Sequence, residues 1–175
     1  RALAEALLAL NTLPKPLIGR VQGQAYGGGI GMMAVCDTVV AVDSARFGLT
    51  EVRLGLIPAT ISPYVIARLG EGMARRVFMS GRRFDAAEAH SLGLVSRMVG
   101  EGELDAAVEA EVTPYLAAAP GAVARAKALA RSLGPVIDDA VIQRTAEALA
   151  DAWDDAEAQE GVTAFFGRRK PSWLS

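Results

Sequence analysis

Two features of this sequence could do chemistry. The first is the run Gly27, Gly28 and Gly29 inside "GQAYGGGIGMMAVCD", residues 23 to 37. The run leads into an apolar segment of helical pattern, and the first N–H groups of a helix have no intrahelical partner. Glycine lets a ligand approach such a backbone closely, so the run reads as a cradle for negative charge, either a phosphate or a developing oxyanion. The competing reading is tight strand–helix packing with no ligand. Phosphate-loop patterns do not fit: Ile30 and Gly31 stand where Lys-Ser/Thr is needed, and Met32 stands where a dinucleotide fingerprint has its third glycine. The second feature is Glu51, set among Leu49, Val52, Leu54, Leu56 and Ile57. A carboxyl group in such surroundings is expected to be desolvated, which raises its pKa toward the range useful for proton transfer. The alternative is a solvated carboxylate paired with Arg53 or Arg46.

The elements that must position these groups follow from the pattern. Leu3, Leu7 and Leu10 are at helical spacing, and "NTLPKP" ends that helix. Residues 17 to 23 read as a strand, "IGMMAVC" as a helix and the β-branched run 38 to 42 as a buried strand. That order predicts a β-α-β crossover and an α/β core. Residues 47 to 64 read as irregular until a helix begins at Ser62 with Pro63. Two short helices follow, the second capped by Asp85, and residues 94 to 99 read as a last strand. From Glu103 the alanine-rich segments 103 to 118, 121 to 132 and 137 to 157 read as helices. The composition shift near residue 100 divides an α/β part, 1–100, from a helical part, 101–175. So apolar a helical part points to subunit packing.

Composition narrows the function classes. The 175 residues are 51% hydrophobic, which excludes disorder, and a net charge of −2 gives no pull toward nucleic acid or an anionic membrane. No apolar run is long enough to span a bilayer. One cysteine, Cys36, and one histidine, His90, support neither a disulfide framework nor a Cys/His metal site. Cys36 reads as a small core residue and His90 as a surface helix residue; a reducing, cytoplasmic setting is expected. The chain opens on Arg1 inside a helical pattern, so truncation or processing is expected.

The stretch "KPLIGRVQGQAYGGGIGMMAVCDTVVAVDSARFGLTEVRLGLIPA" resembles the enoyl-CoA hydratase/isomerase (crotonase) superfamily. The likeness continues through "SGRRFDAAEAHSLGLVSRMV" and "EGVTAFFGRRKPSW". Within it, "LTEVRLGLIPATISPYVIARLG" is similar to hydratases of branched glutaconyl-CoA thioesters, of 3-methylglutaconyl-CoA or isohexenylglutaconyl-CoA type. The resemblance implies a crotonase (ClpP-like) fold: a β-β-α spiral core, here its C-terminal part, followed by a helical oligomerisation region. It implies an acyl-CoA thioester as substrate, no metal or other cofactor, and a homotrimer or homohexamer.

It also implies roles. The amide of Gly28, flanked by Gly27, supplies one of two oxyanion donors, the other coming from a segment upstream of this chain. Glu51 is a catalytic carboxylate. Hydratases of the family have a second one at the position of Gly31, so this chain carries one where two are usual. One carboxylate can hydrate by acting twice, or can shuttle a proton between the α- and γ-carbons as an isomerase does. A non-catalytic acyl-CoA-binding subunit is the third possibility. Gly31 is expected to leave room, and to remove a repelling charge, for a branched acyl group with a distal carboxylate, for which Arg53 is a possible partner. Ala59 is expected to offer its amide to the attacking water. Thr60, Ile61 and Tyr64 are expected to line the acyl pocket, and Phe165 and Arg168 to approach the CoA adenine and phosphates.

Overall fold

A computed structural model describes residues 2–174. Helix α1 (Ala2–Thr12) turns Ala4 and Leu7 into the core and stops ahead of Pro14 and Pro16. The stretch expected as one strand is two, β1 (Ile18–Val21) and β2 (Gln24–Tyr26). Gly23, at φ +141°, separates them, a conformation that side chains resist, and the chain leaves one sheet for another there. Helix α2 (Gly28–Ala34) then leads to β3 (Thr38–Val42) and β4 (Arg46–Gly48). β1 pairs in parallel with β3, and β2 in parallel with β4. Each pass of the chain thus adds one strand to each sheet with a helix between passes, which is the β-β-α spiral.

The two sheets are completed from further along. β5 (Arg83–Asp85) pairs antiparallel with β4, and β6 (Arg97–Val99) pairs in parallel with β3. Neither β4 nor β5 was expected. Three residues are too few to show alternation, and this pair is fixed by tertiary packing of Phe47 on Phe84, ring centroids 5.8 Å apart. β6 takes only the end of 94 to 99, because the amides of Leu94 and Val95 donate to Ala89 O at 3.0 and 3.1 Å and close the preceding helix.

Helices α3 (Ser62–Leu69), α4 (Glu71–Phe78) and α5 (Ala86–Ser91) match the expected segments. Asp85 caps α5, its carboxylate accepting the Glu88 amide at 2.9 Å. The C-terminal helices are α6 (Leu104–Leu116), α7 (Pro120–Ser132), α8 (Asp139–Asp154) and α9 (Ala156–Phe166). The helix expected over 137–157 breaks at Asp155, which is extended and accepts the Glu157 amide at 2.9 Å. Packing does not follow the composition shift near residue 100: Leu104 and Ala107 of α6 lie in one core with Val39, Val40, Phe47 and Leu94. α7 contributes no buried residue, and Leu129 and Leu133 are exposed. Among the described residues no helix is long and apolar enough to cross a membrane.

One contact reaches back to the residues of chemical interest. After β4 the chain makes a 3₁₀ turn, Glu51–Leu54, closed by Gly55. Helix α9 lies directly on it. A Cβ at Gly161 would come within 2.5 Å of the Leu54 carbonyl carbon, and one at Gly55 within 2.4 Å of the Glu157 carbonyl carbon. Backbone meets backbone here, and neither side can yield without moving the turn. Gly161→Ala is expected to cost roughly 1–3 kcal/mol, as overpacking does, measured as a lower urea midpoint at unchanged slope.

Candidate active site

Parallel pairing brings the two chemical features together. β2 and β4 run side by side with Tyr26 opposite Gly48, so the segments after both strands emerge at the same edge. The Gly27 amide ties them, donating to Gly48 O at 3.1 Å. Gly27 itself sits at φ +48° and ψ −114°, and a Cβ on it would lie 2.9 Å from Glu51 Oε1. Both the backbone angles and the carboxyl group therefore require glycine at this position. The Gly27 carbonyl accepts the amides of Ile30 and Gly31 at 2.9 and 3.2 Å and starts α2. Among the described residues no backbone group accepts from the amides of Gly28 and Gly29, which remain free as first-turn amides.

Glu51 is half-buried and, among the described residues, has no ion-pair partner. Its Oε2 is buried and, among the described residues, is the one buried side-chain polar atom with no hydrogen-bond partner. Burial pushes the carboxyl above the ordinary carboxylate range, with a smaller opposing effect from its own backbone amide. Arg46 instead donates to the carbonyls of Ser44 and Ala45. Arg53 is exposed and lays its side chain against Gly81. A desolvated acid without a counter-charge is suited to giving and taking protons.

Gly28 and Glu51 line the same cavity of about 140 Å3. Leu56, Ile57, Pro58, Ala59, Thr60 and Ile61 also line it, together with Leu3 of α1 and Leu149 of α8. Leu3 and Leu149 were not anticipated: each reads as an ordinary apolar helix residue, and only the tertiary packing brings them here. The lining is mainly apolar, with Gly28 and Glu51 both on it.

Several expectations need correction. Gly31 does not open space for a ligand, because that space holds Ile61: a Cβ at Gly31 would lie 2.4 Å from Ile61 Cγ2. The Ala59 amide donates to Ile57 O at 2.8 Å and so is not free for a water, although Ala59 does line the cavity. Tyr64 is a core residue, 2% exposed, whose hydroxyl donates to Ala4 O at 3.4 Å; it lies outside the cavity. Arg53 is likewise not part of the lining. Thr60 and Ile61 do line it. Phe165, expected with Arg168 near the CoA adenine and phosphates, is exposed at the end of α9, edge-on to Phe166, and Arg168 follows at φ +50°. Burial raises the Cys36 thiol, as fits a structural residue, and exposed His90 bonds through Nδ1 to Val95 O at 3.0 Å.

Comparison with known proteins places the chain in a family. Residues 1–175 match the family described as enoyl-CoA hydratase/isomerase, and the chain belongs to that family. It is 33% identical over 176 residues to an enoyl-CoA hydratase of Alternaria alternata, covering 98% of this chain and 58% of that protein. It is 34% identical over 163 residues to a short-chain-enoyl-CoA hydratase of Clostridium acetobutylicum, covering 92% of this chain and 62% of that one. The crystal structure of an enoyl-CoA hydratase from Mycobacterium avium superposes with a TM-score of 0.86 at 32% identity, over 98% of this chain and 67% of that chain. The chain thus spans about three fifths of the length of the curated relatives it matches.

Two outcomes test the geometry. Gly31→Ala should destabilise the fold by roughly 1–3 kcal/mol, and Ile61→Ala should relieve it, giving a less-than-additive double-mutant cycle in denaturant unfolding. For Glu51 the sign follows from linkage. A carboxyl held above its ordinary value of 4.5 keeps its proton longer folded than unfolded, so this group's contribution to stability falls as pH rises through and above 4.5. Glu51→Gln should therefore raise the melting temperature at pH 7, with the gain shrinking as pH falls from 7 toward 4.5.

Proposed function

We propose that the protein hydrates an α,β-unsaturated acyl-CoA thioester. The observation that carries this is the partnerless, buried carboxyl oxygen of Glu51 in the same small cavity as the Gly28 backbone. The thioester carbonyl docks against the Gly28 amide, which stabilises charge as it moves onto that oxygen. Glu51 takes a proton from water, and the oxygen bonds to the β-carbon while the double-bond electrons pass toward the carbonyl as an enolate. Glu51 then returns the proton to the α-carbon. One acid serving both steps adds hydrogen and oxygen to the same face. The chemistry calls for no metal or redox cofactor; CoA is part of the substrate.

The acyl group is branched in this reading. The resemblance of residues 49 to 70 to hydratases of 3-methylglutaconyl-type thioesters supports a branched, carboxylated group, and the aliphatic walls suit the branch. The carboxylate has weaker support, since the cavity lining includes no cation. The single carboxylate favours a second reading, in which Glu51 moves a proton between the α- and γ-carbons and no water is consumed. Exposed Leu129, Leu133 and Val136 support packing between copies, as a trimer or a dimer of trimers. A cytoplasmic location keeps Cys36 reduced.

Crotonyl-, 3-methylcrotonyl- and 3-methylglutaconyl-CoA, assayed for loss of the conjugated double bond, and 3-enoyl-CoA, assayed for its appearance, separate hydration from isomerisation and grade the acyl groups. Glu51→Gln should lower turnover by roughly 10²–10⁴-fold while leaving butyryl-CoA affinity nearly unchanged. A protein that consumes none of these thioesters, yet binds them, is a binding subunit and not an enzyme.

A further inference from the structure

The bond from the Gly27 amide to Gly48 O stands at the end of a row that crosses the whole second sheet. Tyr26 of β2 is opposite Gly48 of β4, and Gly48 is opposite Arg83 of β5. The neighbouring row, Ala25, Phe47 and Phe84, packs on the core, so Tyr26, Gly48 and Arg83 share the opposite face.

Gly48 is the gap in that row. Neighbouring strands lie about 4.8 Å apart, so β2 and β5 are separated by roughly twice that distance. A side chain at position 48 would stand between them, its Cβ 3.2 Å from Tyr26 Cδ1 and 3.3 Å from Thr50 Cγ2. With glycine there, the Arg83 guanidinium reaches across the middle strand and lies 5.4 Å from the Tyr26 ring centroid, within cation–π range. Arg82, one residue earlier, is ion-paired with Glu88, whereas Arg83 faces an aromatic ring in place of a carboxylate.

Both ends of this crossing adjoin the site. Tyr26 leads directly into Gly27, which bonds Gly48 O and stands against the Glu51 carboxyl. The residues leading into β5 pack on the turn that carries Glu51: a Cβ at Gly81 would lie 2.9 Å from Val52 Cγ2 and 3.0 Å from Arg53 Cγ. Arg83 itself does not line the Glu51 cavity. We propose that Arg83 is a positioning residue, clamping Tyr26 across Gly48 and so holding the Gly28 amide in register with the Glu51 turn. This rests on the hydration reading above and adds a residue that fixes the geometry of that site.

The test is kcat and KM for crotonyl-CoA in Arg83→Met, Tyr26→Leu and the double variant, beside Arg83→Lys and Tyr26→Phe, which keep a cation and a ring. Arg83 is solvent-exposed, so Arg83→Met leaves the core intact. Displaced reacting groups cost up to about 100-fold, so kcat should fall about tenfold in Arg83→Met and Tyr26→Leu, with KM changed less than about twofold. The double variant should fall no further than either single one, and Arg83→Lys and Tyr26→Phe should recover most of the loss. A lower melting temperature with kcat unchanged, or losses that multiply in the double variant, overturns the proposal. Hydrogen exchange of the Gly27 amide gives a reading that needs no turnover. It should quicken about two- to fivefold in Arg83→Met and Tyr26→Leu and stay unchanged in Tyr26→Phe. If the wild type consumes no thioester, the hydration reading fails and the exchange rate alone decides the clamp: faster exchange supports it, and constancy overturns it.

Discussion

Glu51 Oε1 lies so close to Gly27 that a single Cβ there would touch it, while Oε2 is buried with nothing to bond to. A carboxylate in that condition is costly for a fold to keep, since desolvation disfavours its charged form and no cation repays the loss. The surrounding structure holds it there regardless. The Gly27 amide is pinned to Gly48 O, the 3₁₀ turn is pressed by α9, and the neighbouring volume is closed by Ile61. The site is a place where the protein keeps a desolvated acid at a cost in stability.

Glycine does three separate jobs around that carboxyl. At Gly27 it permits backbone angles and a contact that a side chain would forbid. At Gly161 and Gly55 it lets α9 and the turn meet backbone to backbone. At Gly31 it yields its volume to Ile61, so the position where hydratases of the family carry a second acid is filled by hydrocarbon. The arrangement leaves no space for a side chain at position 31 until residue 61 shrinks.

Much of this was legible from sequence. The order of strand, glycine run, helix and buried strand is fixed by β-branched runs and breakers, which act locally, while the spiral core was implied by the family resemblance. Asp85 as a cap and Ser62 with Pro63 as a helix start are equally local and were found. The three-residue strands β4 and β5 were missed because they exist through Phe47 meeting Phe84, residues far apart in the chain. Tyr64 read as a pocket residue from its place after "PATIS", yet the helix rotates it into the core toward Ala4.

The chain's own residues determined the class of chemistry: an isolated acid in apolar sequence, a glycine run that exposes amides, and too few cysteines and histidines for a Cys/His metal site. Tertiary structure decided which of these groups meet and what space they enclose. Parallel pairing of β2 with β4 set Glu51 against Gly27, and packing of α1 and α8 supplied Leu3 and Leu149 as walls. Periodicity encodes which face of an element is apolar. The volume left between two apolar faces depends on contacts between segments distant in sequence, and no local pattern records it.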